Sequence, residues 1–160
     1  MAWTDSRWFG AALTDILAKT AQMDLNADTI NVSLNGTGVT PDKNAVSAST
    51  AYNTGTWASD KITDTGTGAP AGWPTVGRPL VTPTLAFATG TVTFDAVDTS
   101  SASATTTITA AYGCLIYSDT IASPVADQGI LYAYFGGTQG VTLGTFTLVW
   151  SGSGIATITY

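Results

Sequence analysis

The chain has 160 residues, of which 44% are hydrophobic and only 10% are charged, and its formal net charge is -6 at pH 7. This length is enough for one domain with its own core. Five Lys and Arg residues are too few to neutralise a row of phosphates, so nucleic acid is not expected as a partner. The absence of a run of about 18 apolar residues argues against a membrane span, and no secretory signal is expected.

The uncharged polar residues favour strands. About thirty threonines supply much of the polar surface, and their β-branched side chains fit a pleated sheet. Glu is absent and Lys and Arg are scarce, which disfavours helices. We therefore expect one domain over residues 1–160, all-β in class: an N-terminal arm and amphipathic helix over about 1–22, then an antiparallel β-sandwich or jelly-roll-like part over about 28–160.

The first element in chain order is this helix, predicted over residues 5–21. Thr4 or Asp5 is a suitable N-cap. Apolar residues then recur at offsets of three and four and form one stripe: Phe9, Leu13, Ile16 and Leu17.

From Asp28 the period changes to two, with Ile30, Val32 and Leu34 alternating with polar residues, so a half-buried strand is predicted. Residues 35–79 are rich in turn signals and are interpreted as long loops with short strands at 61–63 and 80–81. Thereafter, short apolar and polar alternations predict at least six strands of a sandwich, jelly roll or barrel. They lie near 91–96, 105–110, 112–118, 129–136, 144–151 and 154–160.

The chain lacks the usual groups of a catalytic site. It has no His and no Glu, so the commonest general base and metal ligand are missing, and any carboxylate pair must consist of Asp. Asp95 with Asp98, and Asp60 with Asp64, are the nearest pairs. They are Ca²⁺ ligands in one interpretation and turn residues in the favoured one. No enzyme activity, cofactor or metal is predicted.

Two further features have a functional and a structural interpretation. Cys114 lies in an apolar strand without a neighbouring cation, so an inert buried thiol is favoured over a nucleophile. The glycines at Gly36, Gly38 and Gly136-Gly137 are interpreted as turns rather than phosphate loops. Seven aromatic residues form either a sugar-stacking platform or, as favoured, core and interface: Trp57, Trp73, Tyr112, Tyr117, Tyr132, Tyr134 and Trp150.

Several segments together resemble a family of small virion proteins of actinobacterial and other tailed phages. The resemblance covers most of the chain and is closest in its C-terminal half. The segments run from Met23 to Leu34, then Thr40-Pro41-Asp42, Gly77 to Leu80, Val92 to Asp98, Ala111 to Tyr117, Phe135 to Thr142, Gly144 to Thr147, and Trp150. The segment 60–64 often has a Glu in that family, and the insertion at 66–73 is longer here.

The resemblance implies a non-enzymatic virion component, most plausibly a decoration or minor capsid protein on the capsid exterior. Its implied partners are the major capsid protein and itself, as a homotrimer, after assembly in the host cytoplasm. A tail or head-to-tail component and a carbohydrate-binding adhesion module are the alternatives.

The N-terminal segment supplies the predicted partner contacts. Trp3, Arg7, Trp8 and Phe9 are the candidates, because aromatic and Arg side chains are enriched at interface centres. The alternative, slightly favoured, is that this segment and the helix only cover one open face of the β-domain.

Overall fold

The structure, a computed structural model, describes residues 3–159. Strand makes up 41% of the chain and helix 10%, and all strand pairs are antiparallel, which confirms the all-β class. The strands are β1 (Arg7–Trp8), β2 (Ile30–Asn35), β3 (Lys61–Ile62), β4 (Arg78–Pro79), β5 (Val81–Ala88), β6 (Thr91–Val97), β7 (Thr99–Ser100), β8 (Thr106–Ser118), β9 (Gly129–Gly144), β10 (Thr147–Leu148) and β11 (Ala156–Thr159). The helices are α1 (Gly10–Leu17), α2 (Ser47–Thr50) and a 3₁₀ helix, Gly55–Ala58.

The larger sheet has the order β1-β9-β8-β2-β3, and β4 pairs with β2 on the same side as β3. Its two long strands, β8 and β9, pair along most of their length with several register shifts. Such shifts bend a sheet and increase its twist. The centre of this sheet therefore consists of two consecutive strands, β8 and β9, and of β2, which is far from both in sequence.

Both faces of the larger sheet are covered. Ile30, Val32 and Leu34 of β2 join one core cluster, which also contains Phe94 of β6. Leu115 and Tyr117 of β8 point to a second cluster, built from aromatic residues of the N-terminal segment and the 39–57 region. Consequently β2 is buried at every residue, and the prediction of a half-buried strand there is wrong.

The second sheet has the order β11-β6-β5 and is amphipathic. Residues directly opposite each other in its ladders share a face. The register therefore places Leu85, Phe94 and Ala156 in one apolar row, and Phe87, Val92 and Ile158 in the next. The opposite face is mainly Thr and Ala. A further pair, β7 with β10, completes the strands.

The N-terminal helix is shorter than predicted. Residues 5–9 precede it, and within them Arg7 and Trp8 form β1, paired with Tyr132 and Leu131 of β9. The N-cap is Phe9, without a side-chain hydrogen bond, and neither Thr4 nor Asp5 has that role. Sheet pairing has overridden local capping preference here.

Three boundaries in the C-terminal half also differ from prediction. The segments 105–110 and 112–118 form one strand, β8, which passes through Ala110 at a φ of 61°. β9 continues to Gly144 through Gly136 and Gly137, which are therefore not the end of a strand. The segment 144–151 contains only the two-residue β10.

The buried carboxylate of Asp64 anchors the long loop 64–73 to β8. It accepts hydrogen bonds from the backbone N–H groups of Gly66 (2.7 Å), Gly72 (3.0 Å) and Thr107 (2.9 Å). The Asp64 N–H in turn donates to the Trp73 carbonyl. These bonds hold Trp73 in the first core cluster. Within residues 3–159, no helix has the length and apolarity needed to cross a membrane.

Candidate binding groove

A groove of about 660 Å³ opens where the edge of the larger sheet meets the second sheet. One wall consists of β1 and the middle of β9, and the other of β10, the turn after it and the start of β11. Its aromatic lining residues are Trp8, Tyr132, Tyr134, Phe135, Phe146 and Trp150. A concave, mostly apolar site of this size is typical of ligand and peptide binding sites.

Hydrogen bonds of their own backbone hold two tryptophans on opposite walls of the groove. Trp8 is placed by its β1 pairing with Leu131, and its ring lies 6.2 Å from that of Phe94. Trp150 is placed by its own N–H, which donates to the Asp98 carboxylate at 2.9 Å. Both side chains are half-buried, so each ring has one part in the core and another at the groove.

The indole N–H groups of Trp8 and Trp150 are buried and have no hydrogen-bond acceptor among residues 3–159. A buried donor without an acceptor costs free energy. Trp8 and Trp150, whose rings carry these two donors, both line the groove.

Arg7 is the single charged residue among those that line the groove. Its Nε donates to the Asp5 carboxylate at 2.8 Å, and the side chains of Arg7 and Asp5 are 54% and 38% exposed. An exposed ion pair of this kind contributes little to stability. The guanidinium is therefore available to a partner that offers a competing acceptor, and the rest of the surface suits an uncharged occupant.

The four predicted contact residues separate into two pairs. Arg7 and Trp8 line the groove. Trp3 and Phe9 are only 2% and 0% exposed, and both pack against Trp57 in the second core cluster. As partner contacts these two predictions are wrong for the folded chain, because neither side chain reaches the surface.

The seven aromatic residues singled out in the sequence are likewise divided. Trp57, Trp73, Tyr112, Tyr117 and Tyr132 are buried. Only Tyr134 and Trp150 of that set are half-buried groove residues. Sequence reasoning missed Phe135 and Gln139 as lining residues. The alternation of residues along β9 does not show that the second sheet leaves part of this strand uncovered.

The candidate Asp pairs accept backbone hydrogen bonds. Asp60 accepts one from Gly38, Asp95 from Ala96 and Asp98 from Trp150, while Asp64 accepts three. No group of three or more Cys and Asp side chains in the described part of the chain could hold a metal ion. The geometry of these carboxylates is that of loop anchors.

Cys114 is fully buried between β2 and β9. Burial raises the pKa of its thiol to about 12, although a backbone hydrogen bond from Ala133 acts in the opposite direction. A thiol with so high a pKa is protonated at neutral pH and is a poor nucleophile.

A cluster of polar and aromatic residues at the start of β2 was not predicted. Burial, and then the nearby Asp119 carboxylate, raise the pKa of Asp127. Asn31 donates to Asp119 at 3.2 Å, and the ring of Tyr52 stacks on that of Tyr117 at 4.7 Å. These residues are separated by up to 96 positions, so no local motif could have shown that they meet.

Comparisons with protein-family models, with curated proteins and with solved structures gave no match to this chain. The class that fold and site together define is an all-β protein with a peripheral aromatic groove.

Proposed function

We propose that this protein is a non-enzymatic structural protein of a tailed-phage virion, and that the groove between its sheets is where it binds another protein. The observation that carries the binding role is the pair of half-buried tryptophans on opposite walls, Trp8 and Trp150, beside the exposed Arg7. Trp and Arg are the side chains most enriched among residues that dominate binding energy.

The virion setting of this proposal rests on the resemblance described above. In it, the protein decorates the capsid exterior, binds the major capsid protein and stabilises the shell. A protein that binds only the assembled shell stabilises it by mass action. The homotrimer and the sandwich or jelly-roll-like architecture are further parts of this proposal.

The first experiment compares particles with and without the protein. We expect particles that lack it to assemble but to break at a lower temperature or under milder osmotic shock. A cryo-EM map locates it: density on every capsomer supports decoration, whereas density at one vertex supports the tail or head-to-tail alternative. Equal robustness and no density on the particle would refute the virion role.

The second experiment tests the groove. Trp8→Ala and Trp150→Ala are expected to weaken binding to empty shells, each by roughly tenfold or more, because a lost hot-spot residue costs about 2 kcal/mol or more. Leu17→Ala is the matched control, since Leu17 is an apolar residue that is 86% exposed and lies outside the groove. Equal binding by all three variants, with unchanged folding, would refute the groove as the contact.

Carbohydrate binding is the second candidate, favoured by one observation. Trp150 and Tyr134 line the same groove as the amide of Gln139, and aromatic rings beside polar side chains suit a sugar. A glycan array with wild-type protein and Trp150→Ala tests it. A sugar signal that the substitution abolishes would support this role, and the absence of any signal would eliminate it.

A further inference from the structure

Cations lie on the short edge strands of the larger sheet. The chain has only five Lys and Arg residues, and three of them lie on its edge strands: Arg7 on β1, Lys61 on β3 and Arg78 on β4. Each of these strands is also only two residues long, and Arg78 is followed by Pro79. Short strands, cations and proline all discourage pairing with another chain.

One edge of the second sheet, strand β5, is protected differently. Pro83 has no N–H to offer, and the register shifts between Val81 and Thr84. The N–H of Leu85, two residues after the proline, donates to the side-chain oxygen of Asn26 instead of to a strand. A second strand cannot pair along β5 without displacing Asn26 and bypassing the proline.

The opposite edge of that sheet, β11, has none of these features. Its four residues include no charge, no proline and no register shift, and within residues 3–159 its ladder partner is β6 alone. Thr157, Ile158 and Thr159 are exposed. An exposed, uncharged, regular edge of β-branched residues is a template for strand addition.

We infer that β11 pairs antiparallel with β11 of a second copy of this chain. The pattern of the strand is complementary to itself, because Ala156 and Ile158 lie on the apolar face and Thr157 and Thr159 on the other. A twofold axis through Thr157 or through Ile158 places apolar residues opposite apolar ones and Thr opposite Thr. Cross-strand pairs of these types stabilise a sheet.

The net charge of the chain restricts where two copies can meet. Each copy carries a net charge of -6, so two copies associate best where neither presents an acid. The apolar row that contains Ile158 also contains Val92. In the neighbouring row, Leu85 is 41% exposed. Pairing at β11 would join the apolar faces of two three-stranded sheets into one six-stranded face.

This inference goes beyond the proposed function and does not depend on it. It concerns a twofold contact, which is distinct from the predicted trimer. A monomeric protein that still decorates shells would overturn both the β11 contact and the homotrimer, and would leave the proposed binding to the capsid intact.

The test is the mass of the full-length protein in solution, measured by sedimentation equilibrium. We expect a concentration-dependent dimer for the wild type and a dimer at least about tenfold weaker for Thr157→Lys, because pairing brings two like charges together. Thr84→Lys is the matched control: the same substitution at an exposed Thr on the polar face of the protected β5 edge. It should leave the dimer unchanged.

Single cysteines provide a second, independent measurement. Because Cys114 is buried, a new cysteine at position 157 or 158 would be the reactive thiol of the native chain. If the twofold axis passes through residue 157, Thr157→Cys should form an intermolecular disulfide on mild oxidation; if it passes through residue 158, Ile158→Cys should. Thr84→Cys should form none. A wild-type monomer or trimer, equal weakening by both Lys variants, or no cross-link at either position would overturn the inference.

Discussion

Removal of the Asp64 carboxylate should unfold the 64–73 loop from β8 and cost much of the stability of the domain. Asp64 is 2% exposed, and its two oxygens accept the N–H groups of Gly66, Gly72 and Thr107. In Asp64→Ala all three donors lose their acceptor. Asp64→Asn keeps an acceptor oxygen but turns an amide N–H₂ towards a backbone donor, so part of the cost remains.

The magnitude follows from these hydrogen bonds. A bond to a charged group contributes about 1.5–3 kcal/mol, and a buried donor left unpaired costs about 1–3 kcal/mol. Some of the three donors will reach water once the loop moves, so the full sum is not expected. We predict that Asp64→Ala lowers the free energy of unfolding by about 3–5 kcal/mol, and Asp64→Asn by about 2–3 kcal/mol.

Urea unfolding followed by tryptophan fluorescence is the assay, because Trp73 lies at the end of this loop and is fully buried. Asp98→Asn removes the same charge, but Asp98 is exposed and accepts a single hydrogen bond, from Trp150. It should cost less than about 1 kcal/mol. An Asp64→Ala protein as stable as this control would refute the anchoring role.

The same interaction predicts a pH dependence. Hydrogen bonds from Thr107, and then from Gly66 and Gly72, lower the pKa of Asp64 from its ordinary value of 3.8, against the opposing effect of burial. A lowered pKa stabilises the folded state above the unfolded-state value, and that stabilisation is lost as pH falls through the folded-state pKa. The advantage of wild type over Asp64→Asn should therefore be full at neutral pH and shrink below about pH 4.

Three further predictions concern the scaffold. Gly77→Ala should lower the free energy of unfolding in urea by about 2–4 kcal/mol, because a Cβ at this position would lie 2.0 Å from the Val32 carbonyl oxygen. Gly68→Ala is the control: Gly68 has the same φ of +88° but open space around it, so this substitution should cost less. Asp15→Ala should cost about 1–2 kcal/mol in the same assay through three lost side-chain hydrogen bonds, and no loss would contradict that. Cys114 should not react with a thiol reagent at pH 8 until the protein is unfolded, and rapid native-state labelling would contradict its burial.

Sequence patterns predicted several strands with alternating residues, but they predicted only 80–81 where β5 (Val81–Ala88) lies, and they missed what depends on distant partners. The start of β2, near Ile30, and the strand around Phe94 were predicted closely. The burial of both faces of β2 was not, because Asn31 and Ser33 are polar and only the cover over the second face explains their burial. The continuity of β8 and β9 was also missed, since bulges look like breaks in a local pattern.

The site was predicted only in part, for a related reason. Arg7 and Trp8 were selected because they are Arg and Trp near the N-terminus, and they do line the groove. Trp3 and Phe9 were selected for the same reason, as aromatic residues near the N-terminus. Trp3 lies before β1 and Phe9 directly after it, and both pack into the second core cluster. Residue type predicts what a side chain can bind, and only the β1 and β9 pairing determines which of these side chains remain accessible.

The use of Asp throughout the fold explains why an acidic protein should associate through neutral surfaces. Seven of the eleven Asp residues accept at least one backbone N–H, mostly in turns and loops: Asp24, Asp28, Asp42, Asp60, Asp64, Asp95 and Asp98. The short Asp side chain can reach backbone close to it, which the longer Glu does less well. With these acids used as loop anchors and three of the five cations on edge strands, the surfaces left for association carry little charge: the groove, which has the exposed Arg7, and β11, which has no charged residue.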